Sequence, residues 1–163
     1  MGDNLKKDLT KMKGIVICKE SGEYLVDLIL DMDINPILLS SFVGALSLFG
    51  KDNLGKIEEI LIKGLDVEMI IVNKYNLVLI AILGKELTHQ DIRGEAEKAL
   101  DNFYELYKEE IKDCIDVCKF DSFKKILQMQ VEDYFQKLTI SEKEEQVQDF
   151  GFFTEAIKKM KKS

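Results

Sequence analysis

Leu77-Val78-Leu79-Ile80-Ala81-Ile82-Leu83 is an unbroken apolar run directly after the turn-forming group Asn73-Lys74-Tyr75-Asn76. A strand presents alternate side chains to opposite faces, so a strand with no polar residue must be covered on both. Ile15-Val16-Ile17-Cys18 is the other charge-free run of this kind, and it is too short for a helix. The two therefore belong side by side in the middle of a sheet. A turn at Lys19-Glu20-Ser21-Gly22 leads from the first run into a second strand, Tyr24 to Leu30, flanked and interrupted by Glu23 and Asp27. Runs at Ile57–Ile62 and Val67–Val72, joined through Gly64-Leu65-Asp66, complete the set, and Glu58 with Glu59 suits the former to an edge. Connections this short exclude parallel crossovers. The expectation is an antiparallel five-stranded sheet in the order 2-1-5-4-3.

Three helices fill the remaining chain. Asn35-Pro36 opens the first, since the Asn side chain accepts an orphan N–H and proline at the first helical position has its φ already set. It should run to about Phe49. No charge occurs in it, and Ser40, Ser41, Gly44 and Ser47 form a small-residue stripe in otherwise apolar surroundings. Thr88 with Asp91 starts an amphipathic helix to about Lys112, and Asp121 or Ser122 starts another through Phe123, Leu127, Val131 and Leu138. The element order is β-β-α-β-β-β-α-α, an α+β fold with one helix on one face and two on the other. Residues 1–12 read as an N-terminal tail, 13–138 as the domain, and 139–163 as an acidic segment followed by a short basic helix.

The 163 residues are 46% hydrophobic and 33% charged, with one Pro, which excludes disordered and low-complexity classes. A net charge of −7 has the wrong sign for broad attraction to nucleic acid. No apolar run approaches the roughly 18 residues of a membrane span, and Met1–Gly14 lacks a signal-like apolar core, so a cytoplasmic protein is expected. Cys18, Cys114 and Cys118 read as buried thiols in a reducing compartment.

Several motifs fail on inspection. Gly50-Lys51-Asp52-Asn53-Leu54-Gly55-Lys56-Ile57 lacks the final hydroxyl of a phosphate loop and runs from helix to strand; Gly50 is expected instead to end the helix in the left-handed conformation. Asp31-Met32-Asp33-Ile34-Asn35 imitates a calcium loop but continues with Pro36 where glycine is required. His89, alone of its kind, has no nucleophile aimed at it, and Cys114 with Cys118 falls two ligands short of a zinc site. Neither a catalytic centre, a metal site nor a cofactor is expected.

This order of elements, with Leu39-Ser40-Ser41-Phe42-Val43-Gly44-Ala45-Leu46 leading into Phe49-Gly50-Lys51, resembles the longin-like domains of the Roadblock/longin superfamily. These occur in archaeal and eukaryotic machinery built around small GTPases. The resemblance implies a non-enzymatic module that dimerises, with itself or a related domain, and binds or scaffolds a small GTPase, as in exchange-factor or vesicle-trafficking complexes. Ser40, Gly44, Ser47, Leu48 and Lys51 are the expected contact residues, and Gly44→Glu is expected to split the dimer without unfolding it. The opposing reading is that the small stripe lets the helix lie close to its own sheet under the C-terminal tail. Ile57, Glu58, Glu59, Ile60 and Leu61 offer a second docking mode, by extending the sheet. Membrane contact would come only from the tail helix, where Phe153, Ala156, Ile157 and Met160 share a face beside four lysines. The rival from another class is a small-molecule sensor enclosing a pocket between sheet and helices.

Overall fold

The structure, a computed structural model, describes residues 12–30, 33–84, 92–112 and 117–137. Five strands form one antiparallel sheet: β1 (Met12–Lys19), β2 (Tyr24–Ile29), β3 (Glu59–Lys63), β4 (Val67–Lys74) and β5 (Leu77–Gly84). Their order is β2-β1-β5-β4-β3, the one the charge pattern requires. Every residue of β5 is buried, whereas β3 alternates exposed and half-buried positions along its open edge. The expected β3 begins two residues early. Ile57 and Glu58 precede it, although the Asn73 amide still donates to Glu58 O at 2.9 Å and the Asn73 side chain to Ile57 O at 2.6 Å.

The turn between β4 and β5 is shorter than the sequence indicates. Lys74 pairs with Leu77, leaving only Tyr75 and Asn76 in the loop, at φ 58° and 59°. Two successive left-handed residues match the twist of the flanking strands, but glycine or asparagine is the usual choice at both positions. Tyr75 adopts this conformation stacked on Tyr104, with centroids 4.4 Å apart, beside a 2.8 Å ion pair between Lys74 and Asp101.

The helices are α1 (Pro36–Asn53), α2 (Ile92–Lys112) and α3 (123–137), the last preceded by a 3-10 turn at Val117–Phe120. Asn35 Oδ1 accepts from the amides of Ile37 and Leu38 at 3.0 and 3.2 Å, fixing the start of α1 as the sequence implies. Its end needs correction. Gly50 lies inside the helix, buried, and accepts at its carbonyl from Leu54 N at 2.7 Å; the left-handed residue is Gly55, at φ 87°. Gly50 does not cap the helix; it lies beside the Ile57 side chain, which a Cβ there would push aside. The expected Thr88–Asp91 cap lies outside the described residues.

Two cores flank the sheet. On one face Ile15, Ile17, Leu79 and Leu83 meet Leu100 and Phe103 of α2, and Phe123, Leu127 and Phe135 of α3. Phe103 touches the rings of Phe120 and Phe123 at 5.4 and 5.1 Å. A register shift at Ile17/Cys18 leaves Leu25 unpaired, so that Leu25 and Val26, though adjacent, both enter this core. On the other face Val16, Cys18, Val78, Ile80 and Ile82 meet Leu39 and Val43 of α1.

Candidate docking face

Helix α1 has two unlike sides. Leu39, Ser40, Val43, Gly44, Ser47 and Gly50 face inward. Ile37, Leu38, Phe42, Leu48 and Phe49 face outward and are 52–69% exposed. On a helix without charges before Lys51, these five side chains leave an apolar surface open to solvent.

Ser40, Gly44 and Ser47 of the small-residue stripe point away from the contact surface expected of them, while Ser41 is exposed. Gly44 lies against the β1–β2 turn, where Gly22 adopts φ 95°, and a Cβ on Gly44 would come within 2.4 Å of Gly22 Cα. The close approach these small residues permit is thus made to the chain's own hairpin, and Gly44→Glu would displace backbone rather than split a dimer cleanly. Ser40 is fully buried, its hydroxyl donating to Pro36 O at 2.7 Å. It also hydrogen-bonds Cys18, but burial dominates and pushes that thiol up to about 11. Cys18 is therefore a protonated core residue and a poor nucleophile. Ser47 is buried too, its Oγ lacking a hydrogen-bond partner among the described residues. Leu48 and Lys51 are exposed beside an open groove of about 460 Å³, bounded across from them by Glu20 and Ser21.

Of the expected contact residues, Leu48 and Lys51 are on the outer surface of α1 and Ser40, Gly44 and Ser47 are not; Ile37, Leu38, Phe42 and Phe49 make up the rest of its large exposed apolar side chains. The available signal was the second glycine: Gly22 in a turn and Gly44 in a helix are a pair of close-approach residues, which fixes the helix phase.

At the sheet edge, Ile60 and Ile62 are half-buried on the α1 side, while Glu59, Leu61 and Lys63 are exposed on the other. Arg93 of α2 reaches Glu58 and Glu59 at 3.5 and 3.4 Å and Glu97 at 3.3 Å, tying α2 to this edge.

The sensor alternative lacks room between the sheet and α2–α3. The cavity there, lined by Met12, Ile15, Ala99, Leu127 and Gln130 among others, holds about 40 Å³, against the ~300 Å³ or more of ordinary ligand sites. Gln130 Nε2 closes one wall by donating to Glu95 O at 2.8 Å. No group of three or more metal-ligating side chains occurs among the described residues, and no described helix is long and apolar enough to cross a membrane. His89 and Cys114, the tail 139–163, and the side chain of Cys118 lie outside the description.

A five-stranded antiparallel sheet in this order, with one helix on one face and two on the other, defines the roadblock/longin-like fold, and this chain has it. Among solved structures it is similar to MglB of Myxococcus xanthus, with a TM-score of 0.51 at 16% identity over 64% of this chain and 89% of that one. The gliding protein MglB of Thermus thermophilus gives 0.53 at 10% identity, over 66% and 88%. An MglB with tetrameric arrangement gives 0.54 at 10%, over the same 66% and 88%. At these identities the likeness is one of fold. No family model matches the chain, and no curated protein matches it in sequence.

Proposed function

We propose that residues 13–138 form a non-enzymatic, dimerising adaptor or regulator that binds a small GTPase in the cytoplasm, with 1–12 and 139–163 as appended tails. The observation that carries this reading is the outer side of α1, where five large apolar side chains stand more than half exposed. Each Å² of such surface removed from water contributes roughly 25 cal/mol, set against the entropic cost of association, so covering it is a driving force for a partner. Leu48 and Lys51 contact that partner together with Phe42 and Phe49. Ser40, Gly44 and Ser47 contribute from behind, by seating α1 against the hairpin so that its outer side is presented rigidly. Strand β3, with Ile57 and Glu58 leading into it, adds main-chain pairing at the edge.

Self-association is in keeping with the tetrameric arrangement that one MglB structure displays. The GTPase rests on the fold and on the superfamily resemblance of the Leu39–Lys51 stretch. The test is a pull-down with the purified chain as bait against small GTPases loaded with GTP or GDP, with the mass of the bait measured beforehand. Retention of a GTPase by a dimeric bait is the expected result; a monomeric bait that retains none in either state overturns the reading.

A further inference from the structure

The serines of α1 do not behave alike. Ser40 and Ser41 donate back along the helix, to Pro36 O at 2.7 Å and Ile37 O at 3.1 Å, and the Asn53 side chain does the same to Phe49 O at 2.8 Å. Ser47 is only 3% exposed, and its Oγ has no partner among the described residues. A buried hydroxyl left unpaired destabilises a fold, and the usual remedy for a serine inside a helix is the carbonyl four residues back. Ser47 leaves that bond unmade.

Ser47 lines the groove of about 460 Å³ between α1 and the β1–β2 turn, a volume within the ~300–1,000 Å³ of ordinary ligand sites. The charged side chains of this groove are uncommitted as well. Glu20 on the turn and Lys51 on α1 stand on opposite sides of it, and neither forms an ion pair among the described residues, although the neighbouring Lys19 and Glu23 pair at 3.2 Å. Ser21 adds a second hydroxyl beside Glu20, and Ala45 and Leu48 supply apolar surface. Opposite charges held apart, with an unpaired hydroxyl in the same groove, are complementary to a molecule that carries both charges itself. We propose that the groove binds a small zwitterion of the α-amino-acid type. Its carboxylate lies on Lys51 and the Ser47 hydroxyl, its ammonium on Glu20, and an apolar side chain along Ala45 and Leu48. A ligand with only a negative charge is opposed by Glu20, and one with only a positive charge by Lys51, so the pair selects for the zwitterion. The inference goes beyond the adaptor reading and does not depend on it.

The test is a calorimetric titration of the full chain with L-leucine, beside leucinamide, which lacks the carboxylate, and N-acetylleucine, which lacks the ammonium. Leucine is expected to bind, and each one-charge analogue to bind about ten-fold more weakly or worse. Glu20→Gln and Lys51→Met should each weaken leucine about ten-fold; the first should cease to discriminate against N-acetylleucine and the second against leucinamide. Ser47→Ala separates the site from the fold. Without ligand it should melt no lower than wild type, because it removes an unpaired hydroxyl, yet it should bind leucine about ten-fold more weakly. No binding of leucine at millimolar concentration, equal binding of leucine and both analogues, or leucine binding untouched by all three substitutions overturns the proposal. The adaptor reading stands in each of those cases, since its own test is retention of a GTPase.

Discussion

The face of the sheet beneath α2 and α3 is closed by interlocking rings, with Phe103, Phe120 and Phe123 all fully buried, whereas the face beneath α1 is covered by one helix that keeps five large apolar residues in water. The same sheet thus has one side closed by two helices and one side whose single helix keeps an apolar outer surface. Burial on the first side stabilises the fold. On the second, the inward half of α1 is structural and the outward half is free to serve binding. Substitutions should separate these roles cleanly.

The largest effect is expected for Phe103→Ala. Removing a ring that touches three others should cost about 3–5 kcal/mol of unfolding free energy in a denaturant titration. A loss below about 1 kcal/mol would mean the two faces are not so different. Gly44→Ala comes next. The new methyl meets the Gly22 backbone, which has no flexible end to yield, so about 1–3 kcal/mol should be lost even in the single chain. If that variant were as stable as the wild type, the inward half of α1 would not be packed as described.

Cys18 gives a pH-dependent version of the same comparison. Its thiol titrates near 9.0 when the chain is unfolded and is raised to about 11 by burial in the fold. An acid with a raised folded value binds its proton more tightly when folded, so this contribution is complete below about pH 9 and declines as pH rises toward about 11. On the order of 1 kcal/mol should be gone by pH 10, measured as the difference between wild type and Cys18→Ala in paired melts. Parallel curves for the two proteins would place the thiol in a more open setting. The smallest effect on stability belongs to Leu48→Asp, within about 0.5 kcal/mol, since that side chain is 65% exposed.

Legibility followed the same divide. The strand order was readable because two segments, 15–18 and 77–83, carry no charge and hence admit only central places. The start of α1 was readable because Asn35-Pro36 is a local signal, and its bonds close within three residues. Its end was not, since glycine serves both as a cap and as a point of close approach, and only the position of Ile57 in space decides between them. The turn at Asn73–Asn76 was placed but its tightness was not, since neither central residue is glycine; Tyr75 stacks there on Tyr104 of α2. The direction of the small stripe depended on Gly22, a contact between a turn and a helix that no periodicity within α1 encodes.

Sedimentation of the wild-type chain beside Phe42→Asp and Leu48→Asp, over a range of concentrations, tests the central claim that α1 presents its outer side to a partner copy. Wild type is expected at twice the 18.7 kDa chain mass, and both variants at the single mass with unchanged melting. Wild type at the single mass throughout, or variants that dimerise as it does, would contradict the account.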